Sequence, residues 1–255
     1  MTTILGLAGL FFAAVLAGAV NSVAGGGSLI SFPALVAFGQ PAILANATNT
    51  AAVWPGALSS AVAYKQDTLI NKELLVTLLV PSIAGGLLGA LVLVTTPPEL
   101  FDRVVPFLVA FATLLFAFRD PVSRWTGAGT DGTEHVTTGA RVGGFVFQFF
   151  VATYGGYFGA GIGILMLASL SLMGLRDIHR MNGLKTILGM LINVIAFIFF
   201  ALKGLVVWPL AVLMAAGAVL GGWVGARTAK RVDQRWIRLF VIAVGAVVSV
   251  WLFLK

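Results

Sequence analysis

The stretch Asn21–Ser28 reads NSVAGGGS and interrupts a sequence that is apolar from near its first residue. Three consecutive glycines favour a break in a helix, because glycine is a poor helix former. The surrounding residues are apolar enough to lie in lipid, where unpaired backbone N–H and C=O groups are costly. Irregular backbone is tolerated there only when it is buried in protein or lines a polar cavity. The stretch therefore predicts a bend inside a membrane whose amides face a hydrogen-bonding solute.

Composition places the whole chain in a membrane. Of its 255 residues, 59% are hydrophobic and 10% are charged, and the mean hydropathy is +1.03. Soluble domains carry about 25% charged residues. The sequence therefore predicts an all-α polytopic membrane protein. The net charge of +7 is not arranged as a basic patch with aromatics, which excludes nucleic acid as a partner, and the chain contains no cysteine for disulfides or thiolate metal sites.

Apolar segments fall into two sets of five. They occupy roughly 4–20, 28–44, 46–64, 73–95, 103–118, 142–158, 163–175, 182–202, 205–226 and 239–254. The first two segments of each set are short and are joined through glycines, whereas the other three approach the ~20 residues that a membrane span needs. We therefore expect each set to form a re-entrant helix hairpin followed by three transmembrane helices.

A weak internal repeat relates the two sets. GGLLGA at Gly85–Ala90 reappears as GGWVGA at Gly221–Ala226, and at the same spacing Asn46 and Thr50 fall on Asn182 and Thr186. We expect a first membrane repeat at residues 1–118, a polar cytoplasmic linker at 119–141 and a second repeat at 142–255. An odd number of crossings per repeat makes the second repeat inverted relative to the first.

Basic residues predict the orientation of the chain. Twelve fall on one side of the membrane: Lys65, Lys72, Arg119, Arg124, Arg141, Arg176, Arg180, Arg227, Lys230, Arg231, Arg235 and Arg238. The other side receives Arg103, Lys203 and Lys255, and Lys185 lies inside a predicted span. By the positive-inside rule the first side is cytoplasmic, so both termini are predicted on the non-cytoplasmic side.

Polar residues and glycines near the two bends form a candidate binding site for an anion. Glycine permits positive φ and close approach, helix N-termini carry positive partial charge, and Ser28 is expected to cap the helix after the first bend. Asn46, Asn49 and Thr50 share one helix face. The candidate substrate-binding residues are Asn21, Ser22, Gly25, Gly26, Gly27, Ser28, Asn46, Asn49, Thr50, Trp54, Tyr154, Tyr157, Gly159, Gly161, Asn182, Lys185 and Thr186.

Each feature also has a structural interpretation. Small residues let membrane helices pack closely, and we favour that role for Gly85, Gly86 and Gly89 and for their counterparts at 221, 222 and 225. The amide side chains inside the membrane have the alternative role of hydrogen-bonding one helix to another, without contacting a solute. Lys185 either contacts an anion or extends its ammonium group to the membrane surface.

Three stretches resemble one transporter family. AGAVNSVAGGGSLISFPALVAFG at 17–39, ANATNTAAVWPG at 45–56 and GGYFGAGIG at 155–163 are similar to the TauE/SafE family of sulfite exporters and toluenesulfonate uptake permeases. The resemblance implies a transporter of sulfur-containing anions such as sulfite, thiosulfate or organosulfonates in the bacterial inner membrane. It also implies inverted repeats that each begin with a helix hairpin. Ile162 departs from the glycine often found at its position in the family, which predicts a less polar second bend or one shaped around a bulkier solute.

The function predicted is therefore a secondary transporter with alternating access at a mid-membrane site between the repeats. A passive anion channel, or a transporter of another small organic anion, is the alternative. An enzyme is disfavoured because no Asp, Glu or His falls inside a predicted span, apart from Glu73 at the first residue of the segment 73–95, and neither a metal site nor a cofactor is expected. The sequence leaves open the individual anion, the coupling ion, the direction of transport and the oligomeric state.

Overall fold

The computed structural model describes residues 2–23, 26–63, 72–118, 138–175, 178–228 and 234–254. The described residues form helices and turns without a β-strand. The helices are α1 Thr2–Val23, α2 Ser28–Ala37, α3 Ala42–Ala63, α4 Lys72–Thr95, α5 Pro98–Ala117, α6 Thr138–Tyr157, α7 Ile162–Leu172, α8 Ile178–Leu202, α9 Trp208–Thr228 and α10 Gln234–Leu254. Gly25 and residues 119–137 of the predicted linker lie outside the described residues, and α6 begins inside the range predicted for the linker.

Six described helices are long and apolar enough to cross a membrane. They contain the segments Ile4–Ser22, Leu74–Thr95, Pro98–Ala117, Arg180–Leu202, Trp208–Thr228 and Trp236–Leu254. Large apolar side chains along these helices are exposed, as expected for surfaces that face lipid. The chain is therefore a multi-pass membrane protein.

The first helix of each half is longer than the hairpin hypothesis requires. α1 has 22 residues and α6 has 20, so the expectation of two short segments at the start of each half was wrong. Among the helices that the structure describes, only α2 and α7, with 10 and 11 residues, are short. The re-entrant hairpins and the inverted orientation of the repeats stay predictions.

Helix α3 was counted as a span but is not among the six candidates. Its polar residues, which include Asn46, Thr48 and Asn49, lower its hydropathy, and all three are at most 2% exposed. Helices from both halves surround it, namely α1, α2, α5, α8 and α9. A helix enclosed by protein does not need an apolar face for lipid, so α3 can carry polar side chains at its centre.

Equivalent helices of the two halves make equivalent contacts. Helix α1 packs on α9 as α6 packs on α4, and α3 packs on α9 as α8 packs on α4. The backbone repeats as well. Gly26 and Gly161 have φ values of 86° and 76°, and Gly39 and Gly174 have values of 96° and 95°. These pairs share one sequence spacing, so both halves bend at equivalent glycines.

The repeated glycines in α4 and α9 are packing residues, as predicted. A methyl group at Gly222 would lie 2.5 Å from the Gly56 carbonyl oxygen, and one at Gly86 would lie 3.4 Å from the Ile192 side chain. Methyl groups at Gly85 and Gly221 would likewise overlap backbone carbonyl groups of α6 and α1. The absence of side chains therefore lets these helices approach backbone to backbone.

Candidate functional site

The second bend is a tight turn closed by its own polar groups. Helix α6 ends at Tyr157 and α7 begins at Ile162, with Gly161 as its N-cap in the left-handed conformation. The Tyr154 hydroxyl donates a hydrogen bond of 2.6 Å to the Ala160 carbonyl oxygen. Gly159 has a φ of 78°, a conformation that glycine adopts at little cost. The turn therefore depends on two glycines and one tyrosine that the sequence had marked.

Asn46 reaches this turn from the first half of the chain. Its Nδ2 donates a hydrogen bond of 2.9 Å to the Tyr157 carbonyl oxygen, at the last residue of α6. Because a carbonyl can only accept, this contact fixes which amide atom faces α6. The other atom, Asn46 Oδ1, is buried without a hydrogen-bond partner among the described residues. Leaving such an acceptor unpaired costs about 1–3 kcal/mol.

Lys185 reaches the same turn from the second half. A methyl group at Gly163, the second residue of α7, would lie 3.3 Å from Lys185 Cδ, so the lysine stem lies against the first turn of α7. Lys185 Nζ donates a hydrogen bond of 3.0 Å to Asn182 Oδ1, one turn earlier on α8. Thr186 donates to the Asn182 carbonyl oxygen. Lys185 is thus half-buried, and its ammonium group is bonded to the second turn of α8.

These contacts give the second bend two electrically different ends. The C-terminus of α6 carries a negative partial charge, and the N-terminus of α7 carries a positive one. Asn46 contacts the α6 end, and Lys185 lies against the α7 end. The predicted residues of α3 and α8 therefore meet at one turn, which lies between the halves of the chain.

The first bend has different surroundings. A methyl group at Gly26 would overlap the Phe116 ring, and one at Gly27 would overlap the Ala17 carbonyl group. Gly27 is the N-cap of α2 and forms no side-chain cap, so the prediction that Ser28 caps this helix was wrong. Ser28 is instead the first residue inside α2 and is half-buried.

Other polar candidates of the first half form hydrogen bonds within that half. Asn49 Oδ1 accepts a hydrogen bond of 2.5 Å from the Ser31 hydroxyl in α2. Thr50 donates to the Asn46 carbonyl oxygen, as Thr186 does to that of Asn182. Asn21 and Ser22 are half-buried on α1, and the Ser22 hydroxyl donates to the Ala19 carbonyl oxygen.

Aromatic candidates pack against neighbouring rings. The Tyr154 ring lies edge-on to Phe111 at 5.6 Å, and the Tyr157 ring lies edge-on to Phe101 at 5.7 Å. Both partners belong to α5, so the second bend is braced by the last helix of the first half. The Trp54 ring packs on Phe197 of α8, with the ring centroids 6.0 Å apart. Trp54 lies about two helical turns after Asn46 on α3 and so does not reach the second bend as Asn46 does.

Ser31 was missed by the sequence analysis. It lies three residues after Ser28, a spacing that places both on one side of α2 and that could have identified it. Its counterpart in the second half is Met166, so the repeat gave no signal for it.

An apolar groove lies elsewhere in the fold. It encloses roughly 330 Å³ between α1, α9 and α10 and is lined by Leu16, Ala19, Val20, Gly225, Thr228, Trp236, Ile237 and Phe240. Its lining is suited to hydrocarbon and not to an anion. Within the described ranges, no group of three His, Asp or Glu side chains could hold a metal ion.

Comparison with known proteins agrees with the resemblance seen in the motifs. The family described as "Sulfite exporter TauE/SafE" matches residues 10–252, which is nearly the whole chain and includes both bends. The chain belongs to the TauE/SafE family. No solved structure gives a significant match.

Curated relatives of the chain are named as transporters. A "Probable membrane transporter protein" of Haemophilus influenzae is 28% identical over 92% of this chain and 90% of its own length. "Probable membrane transporter protein ORF9" of Sinorhizobium is 30% identical over 96% of this chain and 91% of its own length. "Probable membrane transporter protein YfcA" of Escherichia coli K12 is 28% identical over 94% and 87%. Family and relatives together indicate a membrane transporter.

Proposed function

We propose that this protein is a secondary transporter that moves sulfur-containing anions, of the sulfite, thiosulfate or organosulfonate type, across the bacterial inner membrane. The observation that carries the proposal is the placement of Lys185 against the first turn of α7. The family description names sulfite export, which supports the choice of sulfur anions.

Electrostatics favour an anion at this position. An ammonium group and a helix N-terminus both present positive potential, so an anion placed beside them is attracted by both. Sulfite and sulfonate groups offer several acceptor oxygens and a delocalised charge. A charge-assisted hydrogen bond from Lys185 would be roughly twice as strong as a neutral one.

The site lies where the two halves meet, as alternating access requires. The hydrogen bond from Asn46 to Tyr157 joins α3 to α6, and the Thr48 hydroxyl accepts a bond of 3.0 Å from the Val207 amide of the second half. Rocking one half against the other would break and remake such contacts. Asn46 and Thr48 are at most 1% exposed, which favours a carrier over an open, water-filled channel.

The membrane orientation is part of the proposal. The excess of Lys and Arg places the residues after α3 and α5 and around the start of α8 in the cytoplasm, with both termini on the non-cytoplasmic side. The proposed repeats, 1–118 and 142–255, then lie in opposite orientations around the site.

Counterflow in proteoliposomes tests the function. Vesicles containing the purified protein are loaded with one unlabelled anion, chosen from sulfite, thiosulfate, sulfoacetate, taurine and toluenesulfonate, and then exposed to the labelled form. A carrier for that anion accumulates label transiently and saturably. Flux that stays linear with concentration indicates a channel, and an absence of flux for every sulfur anion, with acetate as the comparison, contradicts the proposal.

A further inference from the structure

The unpaired oxygen of Asn46 has a chemistry that an anion cannot satisfy. The residue is 1% exposed, and its amide nitrogen is engaged by the Tyr157 carbonyl, which leaves the oxygen as the free atom. An amide oxygen is an acceptor only and repels a sulfite or sulfonate oxygen. We propose that Asn46 Oδ1 and the C-terminal end of α6 form a binding site for Na⁺.

The end of α6 supplies further oxygen atoms. A methyl group at Gly159 would lie 3.0 Å from the Gly155 carbonyl oxygen and 3.9 Å from Asn193 Oδ1. Asn193 Nδ2 donates to the Gly189 carbonyl oxygen, which leaves its Oδ1 on the side of the turn. Carbonyl groups at a helix C-terminus carry negative partial charge and are ligands that transporters use for Na⁺.

The type of cation follows from the ligands. These oxygens are all uncharged, whereas Ca²⁺ and Mg²⁺ sites rely on carboxylates. The described residues contain no cluster of acidic side chains or histidines that could hold a divalent ion. A monovalent cation therefore fits the site.

The position of the site explains what the cation does. The Na⁺ ligands lie at the α6 end of the second bend, and Lys185 lies at the α7 end. A cation at one end and an anion at the other would each complement the helix terminus beside it. The coupling of Na⁺ to anion movement rests on the transporter function proposed above, but Na⁺ binding by itself does not.

Thermal unfolding of the purified full-length protein tests the binding. Samples in detergent are titrated with NaCl or choline chloride at constant ionic strength, without any sulfur anion. A ligand that binds the folded state raises Tm with saturation, so Na⁺ should raise Tm and choline should not. Asn46→Asp should shift the half-saturating Na⁺ concentration and make it fall as pH rises, because the carboxylate attracts Na⁺ when ionised but then cannot donate to the Tyr157 carbonyl oxygen as Nδ2 does. Asn46→Leu should abolish the Na⁺ effect. Gln148→Leu removes another buried amide, in α6, one that bonds Ser82 and is not among the candidate site residues, and it should leave the Na⁺ effect unchanged.

Identical curves in the two salts overturn the inference, and they are the result expected if a buried water pairs with Asn46 Oδ1. A Na⁺ effect that survives in Asn46→Leu also overturns it. If Asn46→Leu fails to fold, the Asn46→Asp titration decides, since an unchanged midpoint contradicts direct ligation. A sulfur anion that stabilises the protein without any Na⁺ effect would remove the Na⁺ site and leave the transporter function standing.

Discussion

The two bends of this protein share a backbone and differ in the side chains around them. Gly26 and Gly161 occupy equivalent positions with nearly equal positive φ values, and each precedes a short helix. The first bend packs against Phe116 and the backbone of α1. The second bend receives Asn46 from one half and Lys185 from the other.

The two bends thus share a backbone conformation, while the proposed binding of an anion is assigned to the second bend alone. The position of Asn49 in α3 corresponds to that of Lys185 in α8. Asn49 is buried and pairs with Ser31, whereas Lys185 brings a positive charge to the turn. The prediction drawn from Ile162, of a less polar second bend or one shaped around a bulkier solute, stays a prediction, and Asn46 and Lys185 approach the bend from outside that motif.

The largest expected effect is a loss of stability from overpacking, and it should be the same in both halves. Gly85→Val and Gly221→Val each force a side chain into a backbone carbonyl of a neighbouring helix. Overpacking typically costs about 1–3 kcal/mol and occasionally more, so both variants should lose most of their folded yield in size-exclusion chromatography. Gly143→Val is the control, because nothing lies within 4 Å of a methyl group at Gly143. A large loss in only one half would contradict the symmetric packing.

Lys185→Met should affect the anion and spare the fold. Loss of a hydrogen bond to a charged group costs about 1.5–3 kcal/mol, so the KM for the transported anion should rise about 10- to 100-fold with little change in Tm. Lys203→Met, an exposed lysine near Phe199 at the end of α8, is the matched control and should keep the original KM. Equal KM values in the two variants would show that Lys185 only extends to the membrane surface.

Asn46→Ala and Asn182→Ala should differ, although the sequence marked both residues as candidates for substrate binding. Asn46 donates a hydrogen bond to Tyr157 in the other half of the chain, whereas Asn182 accepts one from Lys185 on its own helix. Removing a hydrogen bond between the halves costs about 0.5–1.5 kcal/mol and also removes the proposed Na⁺ ligand. Initial uptake rates in proteoliposomes should fall further in Asn46→Ala. The opposite order would locate the critical amide in the second half.

The smallest effect is expected at Thr50 and Thr186, which occupy equivalent positions in the two halves. Thr50 and Thr186 each donate to the carbonyl oxygen four residues earlier on their own helix. Such bonds compete with the helix and add little to stability. Thr50→Val and Thr186→Val should therefore each change the unfolding free energy by less than about 0.5 kcal/mol and leave uptake unchanged. A substantial loss of uptake from either variant would place that hydroxyl in contact with the solute.

Local patterns in the sequence predicted much of the fold. Hydropathy located every described helix, although the predicted segment 28–44 extended well beyond the end of α2 at Ala37, and the spacing of glycines predicted the packing of α4 and α9. The lengths of α1 and α6 were underestimated because polar residues such as Asn21 and Arg141 were counted as helix boundaries. Hydropathy by itself does not distinguish a polar residue that ends a helix from one that continues it.

The sequence predicted the candidate site only as a list of residues, without the contacts between them. Asn46, Lys185 and the glycines of the second bend were marked by depth and polarity, and their convergence at one turn depends on tertiary packing. The contact between Asn46 and Tyr157 joins residues 111 positions apart, and no local pattern encodes it. The capping role assigned to Ser28 failed for a local reason, because α2 begins one residue earlier than a serine cap requires.

Solute protection of single cysteines tests most directly the claim that the second bend, and not the first, holds the anion. The chain has no cysteine, so Ser28→Cys and Gly163→Cys, at equivalent positions of the two bends, each create a unique thiol. Both variants are labelled with a charged thiol reagent in the presence and absence of a transported sulfur anion. We predict that the anion slows labelling at residue 163 several-fold and leaves labelling at residue 28 unchanged. Protection at residue 28 alone, or equal protection at both positions, would contradict the account.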